Sequence, residues 1–233
     1  MKKDGFEKYC FLFIIFMIGS FIGFILENLY TILIKGQYAL RQGLIYEPLI
    51  PIYGIGALTL YFLLNHRVLK KSDKYKIINV FLISFIAGSA VEYICSLAQQ
   101  SIFGTISWDY SEKLFNINGR INLFHSVLWG LLGVFFYYIV LPIINKFQVK
   151  SNVVKYGVLI LTMIFILDTI ISVASCYRQK ERRENIAANN KIEMLLDKHY
   201  PDEFLNNIYN NAKVVEKNKW KNCDICLLIK SKW

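Results

Sequence analysis

Five apolar runs, at about 9–34, 48–64, 77–98, 123–144 and 154–176, constrain this chain more than any other feature. At 1.5 Å of rise per residue, about 20 helical residues cross a hydrocarbon core of about 30 Å. Inside such a core every backbone N–H and C=O must be satisfied within the protein, which a helix does by itself. Composition agrees. Of the 233 residues 55% are hydrophobic and 19% charged, and mean hydropathy is +0.37; an average soluble domain has about 25% charged residues. A disordered chain, a collagen and a disulfide scaffold are excluded, and a soluble enzyme with one ordinary core is disfavoured. The expected fold is an all-α membrane protein with about five transmembrane helices in residues 1–176, followed by a polar helical tail, 177–233.

The second run is short and opens in a stretch broken by Pro and Gly, E-P-L-I-P-I-Y-G-I-G from Glu47 to Gly56. An irregular entry is expected there, and irregular backbone at membrane depth survives only where protein or water covers it. The start, Met1-Lys2-Lys3, resembles a signal flank, but the run behind it is too long for an h-region and no A-x-A site follows. It reads as an uncleaved first helix. In the tail, Phe204, Leu205, Ile208, Tyr209, Ala212 and Val215 recur at helical spacing. That spacing predicts an amphipathic helix, packed on the bundle or lying on the membrane surface.

Net charge is +10, from 27 Lys+Arg against 17 Asp+Glu. The basic residues cluster between and after the apolar runs, so topogenic charge facing lipid explains them without a nucleic-acid partner. Arg67, Lys70, Lys71, Lys74 and Lys76 crowd one link. Placing it in the cytoplasm brings Lys2, Lys3, Lys8, Lys146, Lys150 and Lys155 to the same side, with the N-terminus inside. Arg178, Lys180, Arg182 and Arg183 then fall outside, against the positive-inside rule. The two signals conflict. Cys10, Cys95 and Cys176 lie in or at the ends of apolar runs and read as small packing residues. Cys223 and Cys226 form one C-x-x-C whose nearest histidine is His199, short of a four-ligand zinc site, so no metal or cofactor is expected.

An internal repeat is visible. F-M-I-G-S at Phe16–Ser20 matches F-I-A-G-S at Phe85–Ser89, and Gly43 precedes Gly54 by the same 11 residues as Gly119 precedes Gly130. Tyr53 and Trp129 stand immediately before the later glycine of each pair. Two parallel hairpins would account for the pattern.

Chemistry concentrates in the acids within the runs. Gly19, Gly23 and Glu27 share one helix face, as do Ser84, Gly88, Glu92 and Ser96, and Asp168 with Ser172. Small residues let a second helix approach, so each carboxylate points along a packable stripe. Helical rise places Glu27, Glu92 and Asp168 roughly 9–12 Å beneath one surface, the side that also carries the loop residues Arg41, Asp109 and Arg120. A carboxylate at that depth is costly and usually faces an interior or cavity. A buried cluster of three acids is expected, with Arg120 as cationic partner of Glu92 or Glu27. Such groups serve either helix registration or a substrate, ion or proton site. Trp108, Tyr110 and Trp129 suit an interfacial belt, and His66 and His125 read as solvated or satisfied. The sequence has no G-x-x-x-x-G-K-[ST], H-E-x-x-H or G-x-S-x-G, so no catalytic residue is assigned.

G-S-x-x-G-x-x-x-E at Gly19–Glu27, P-I-Y-G-x-G-A at Pro51–Ala57, E-Y at Glu92–Tyr93, W-D-Y-S at Trp108–Ser111, F-N-I-N-G-R-I at Phe115–Ile121 and S-x-x-W-G at Ser126–Gly130 resemble the bacterial putative ABC-transporter type IV permease family over about residues 10–175. The resemblance implies a multi-pass protein of the bacterial cytoplasmic membrane, moving an unidentified small solute with an ATPase supplied by a separate chain. Glu27, Glu92, Asp109, Arg120 and Asp168 are the candidate binding residues. Two other classes stay open: a membrane-embedded lipid-handling enzyme using Glu27, Glu92 and Asp109 as acids and bases, and an interaction or sensor protein working through its tail.

Overall fold

The computed structural model describes residues 5–36, 40–65, 75–149 and 151–215. Lys2, Lys3, His66, Arg67, Lys70, Lys71, Lys74, Lys150 and the Cys223/Cys226 pair lie outside the described residues. The elements in chain order are α1 (Gly5–Lys35), α2 (Pro51–Asn65), α3 (Lys76–Phe103), β1 (Thr105–Ile106), β2 (Asn116–Ile117), β3 (Ile121–Asn122) and α4 (Leu123–Phe135). A π-helical turn (Phe136–Val140) joins α4 to α5 (Leu141–Lys146), and α6 (Asn152–Arg183), α7 (Lys191–His199), α8 (Asp202–Ile208) and β4 (Lys213–Val214) follow. This is an all-α membrane protein. Four of its helical stretches, α1, α3, α4 through α5, and α6, are long and apolar enough to cross a bilayer. Its short strands lie outside these stretches.

The expected fifth span is shorter than a full crossing. At 15 residues, α2 is roughly 22 Å long. The missing length is made up by an irregular segment folded into the bundle, with Leu44, Ile45 and Leu49 buried. Its amides are satisfied one by one: Gly43 N donates to Leu49 O (2.7 Å), and Ile50 N donates to Ser20 O near the middle of α1 (3.1 Å). The chain therefore re-enters to mid-helix depth before Pro51, whose missing N–H suits a helix start. Pro142 explains the π turn in the same terms. It has no N–H for the carbonyl of Tyr138, four residues back, which lies in the widened turn Phe136–Val140.

Two hairpins, α1/α2 and α3/α4, make equivalent close approaches. Gly54 faces Phe16 and Gly130 faces Phe81; a Cβ on either glycine would come within 2.7 Å of those rings. Gly23 lies under Tyr53 and Gly88 under Trp129, at 2.3 and 2.4 Å from such a Cβ. Gly19 meets Ala57, and Ser84 meets Gly133. Residues 16, 19 and 23 of α1 thus correspond to 81, 84 and 88 of α3, and 53, 54 and 57 of α2 to 129, 130 and 133 of α4. The repeat is in the contacts, but its register is one helical turn from the F-M-I-G-S to F-I-A-G-S match. Contacts between helices fix the register, and a short Gly/Ser string does not.

The tail departs from a single amphipathic helix. It forms two short helices, α7 and α8, that pack on α6, and then a strand pair in which Thr105 faces Val214 and Ile106 faces Lys213. Leu205 is fully buried. The basic residues after the last span are consumed locally. Arg178 makes a bidentate pair with Asp197 (3.0 Å for both bonds) and a further one with Glu181 (3.1 Å). Arg182 pairs with Asp202 (2.6 Å) and with Asp197. Lys180 Nζ and Arg183 Nη2 donate to Ile102 O and Phe103 O, carbonyls that the end of α3 leaves open. Asn210 Nδ2 donates to Leu40 O and Asn211 Nδ2 to Ser107 O, so the tail covers both inter-helix loops.

Candidate functional site

Glu27 and Glu92 occupy equivalent places, each one turn beyond the glycine that its hairpin's aromatic ring covers. Tyr53 Oη donates to Glu27 Oε1 (2.9 Å), and Trp129 Nε1 donates to Glu92 Oε2 (3.2 Å). The two rings meet between the hairpins, with centroids 5.9 Å apart. Glu92 is 6% exposed. Its other oxygen accepts from Tyr110 Oη (3.0 Å), and Tyr110 stacks on His125 at 4.3 Å. Burial pushes the Tyr110 phenol well above its ordinary range, and the charges of Glu92 and Glu27 push it the same way.

The cation at Glu27 is Arg41 and not Arg120. Arg41 Nη1 donates to Glu27 Oε2 at 3.0 Å. Asn28 holds it there, donating from Nδ2 to Arg41 O (2.9 Å) and accepting from Arg41 N (3.1 Å). Arg120 is buried but reaches α3 higher up, donating to Ser96 Oγ (2.9 Å) and to Gln100 Oε1. Its carbonyl accepts from Trp108 Nε1 (2.8 Å), so Trp108 ties the loop together. Arg120 meets the face of α3 that carries Glu92, but one and two turns farther along, at Ser96 and Gln100.

Asp168 is buried, 3% exposed, as its stripe with Ser172 implies. It does not join Glu27 and Glu92. Its Oδ2 accepts from the backbone N–H groups of Tyr46 (3.1 Å) and Glu47 (2.8 Å), and Oδ1 accepts from Ser172 Oγ (3.0 Å). Ser172 Oγ in turn accepts from Ile45 N (2.9 Å). The acid caps the re-entrant segment, whose amides have no helix to satisfy them. Asp109 stays in its own loop, where Oδ1 accepts from Ser111 N (3.0 Å). The expected three-acid cluster is therefore two acids. Tyr53, Tyr110 and Trp129 are the polar donors that completed it unforeseen, although the position of Tyr53 and Trp129 before the repeated glycines marked them.

Residues 14–173 match the family described as putative ABC-transporter type IV. The chain belongs to that family. The match runs from within α1 to within α6, takes in the paired faces of both hairpins with Glu27, Glu92 and Asp168, and ends before the tail. No curated protein and no solved structure matches the chain.

Proposed function

We propose that this chain is a permease-like membrane subunit that takes up a proton or a small cationic solute between its two hairpins, with ATP hydrolysed by a separate subunit. The observation that carries the reading is Glu92. It is a buried acid whose two hydrogen bonds come from neutral donors, Tyr110 and Trp129. A charge removed from water without an opposite charge costs several kcal/mol, and a proton or cation arriving at Glu92 removes that cost. Glu27 already has Arg41. Among the described residues only one of the two carboxylates has an arginine, which leaves the site one charge to fill. The family description supports an ABC-type system, and the sequence contains no G-x-x-x-x-G-K-[ST] for nucleotide.

The lipid-handling enzyme reading needs Asp109 beside the two glutamates, and its place in its own loop disfavours it. For orientation we favour the N-terminus in the bacterial cytoplasm and the tail outside, because Arg178, Lys180, Arg182 and Arg183 are spent on local partners and carry little topogenic weight. The test of function is purification of the chain from native membranes. A Walker-type ATPase should come down with it, and solute-dependent ATP hydrolysis by the complex in proteoliposomes should collapse in Glu92→Gln but persist in Glu112→Gln. A complex with no ATPase, or full activity in Glu92→Gln, would refute it.

A further inference from the structure

A second polar feature at membrane depth lies away from the Glu27/Glu92 pair. A groove of about 370 Å³ opens on the side of α1, lined by Met17, Ile18, Phe21, Glu47, Pro48 and Leu49. Its α1 residues are at the middle of that 31-residue helix, and Ile18 and Phe21 are 52% and 46% exposed, as residues facing lipid tails are. The groove is shallow and open, and its lining is apolar except for one side chain, Glu47. The backbone of Glu47 is pinned, its N–H donating to Asp168 Oδ2 at 2.8 Å. Its carboxylate is not. Oε2 is sealed from solvent and has no hydrogen-bond partner, and among the described residues no Lys or Arg pairs with Glu47.

An apolar groove that opens to the bilayer and has in its wall one carboxylate without a cation among the described residues has a definite complement. It calls for an apolar body of modest size carrying a hydrogen-bonding cation. We infer that this groove binds lipophilic amines entering from the membrane, with the hydrocarbon against Met17, Ile18 and Phe21 and the ammonium donating to Glu47. A neutral lipid tail would cover the groove but leave the Glu47 charge unpaired, and an anionic amphiphile would be repelled by it. The charge selects the amine.

The test uses the full chain in nanodiscs of zwitterionic lipid and three probes with one hydrocarbon cage: 1-adamantylamine, 1-adamantanol and adamantane-1-carboxylate. Thermal unfolding is followed by intrinsic tryptophan fluorescence. The amine should raise the melting temperature of the wild type, the alcohol should do so weakly and the carboxylate not at all. In Glu47→Gln the apparent amine affinity should fall by about tenfold or more, toward that of the alcohol, as expected for loss of a charge-assisted hydrogen bond. Ile18→Trp, on the lipid-facing side of α1, fills the slot and should abolish both responses without touching the acid. Equal responses to amine and alcohol in the wild type would reduce the groove to a slot for lipid tails and overturn the inference. An amine response unchanged in Glu47→Gln would overturn it too.

Discussion

Replacing Asp168 by Ala should release the re-entrant segment. The carboxylate accepts two backbone N–H bonds, from Tyr46 at 3.1 Å and Glu47 at 2.8 Å, and one from the Ser172 hydroxyl at 3.0 Å. The hydroxyl can turn to a carbonyl of its own helix, so its loss counts for little. The two amides cannot turn. Each buried donor left unsatisfied costs about 1–3 kcal/mol, so Asp168→Ala should cost about 2–6 kcal/mol, a large fraction of a typical total stability. Asp168→Asn keeps one oxygen facing both amides and loses only the charge assistance, roughly 1–2 kcal/mol. Thr169→Val is the control. Thr169 Oγ1 is buried without a partner, so its removal should be neutral or stabilising. Hydrogen exchange of the chain in nanodiscs, read on peptides covering residues 43–50, should show large loss of protection in the Ala variant, less in Asn and none in Val. Undiminished protection at Tyr46 and Glu47 in Asp168→Ala would refute the reasoning, as would equal loss in Thr169→Val.

The remaining predictions concern charges. A double-mutant cycle on unfolding in detergent should couple Arg41 with Glu27 by roughly 1–2 kcal/mol, while Arg120→Ala combined with Glu27→Gln or Glu92→Gln should be additive within about 0.5 kcal/mol; coupling of Arg120 to either acid would contradict the geometry. Hydrogen bonding to Arg178, and then to Arg182, holds the Asp197 carboxyl below its ordinary range. Its contribution to docking α7 is therefore present above the unfolded carboxylate range of about 4 and lost as pH falls through the lower folded value. A spin label at Met194 should stay immobile at neutral pH, gain mobility only in strong acid, and be mobile throughout in Asp197→Asn. Finally, with a single cysteine at 112 or at 73, an impermeant thiol reagent on intact cells should label the first and not the second; the reverse pattern would invert the orientation.

How far the sequence carried the account depends on the element. Apolar length located α1, α3, the α4–α5 span and α6 to within a few residues at most ends, because a bilayer core imposes one length on every crossing helix. α6 runs seven residues past the apolar boundary, to Arg183, since Asp197, Asp202 and Glu181 neutralise the arginines on its last turns. The irregular entry was legible from Pro48 and Pro51, but it ends at Ile50: Pro51 opens α2, and Gly54 and Gly56 lie inside the helix. What satisfied that entry was not legible. Asp168 and Tyr46 are 122 residues apart, and stripe periodicity reports which face of a helix is packed without naming what packs on it. The same limit explains Arg41 and Arg120. Both stand in loops, where depth counted by helical rise does not apply, and only the turns themselves decide that Arg41 meets Glu27 while Arg120 meets Ser96 and Gln100.

The central claim is that Glu92 is the acid whose charge is supplied from outside the protein. Infrared difference spectroscopy of the chain in lipid, recorded as pH is stepped or a small cation is added, observes the carboxyl group itself. The account predicts a carboxylic-acid carbonyl band that appears with the proton, is displaced by a bound cation, shifts when Tyr110→Phe removes one donor, and is missing from Glu92→Gln. A band that persists unchanged in Glu92→Gln, or a Glu92 that stays ionised in every condition with no cation bound, would contradict it.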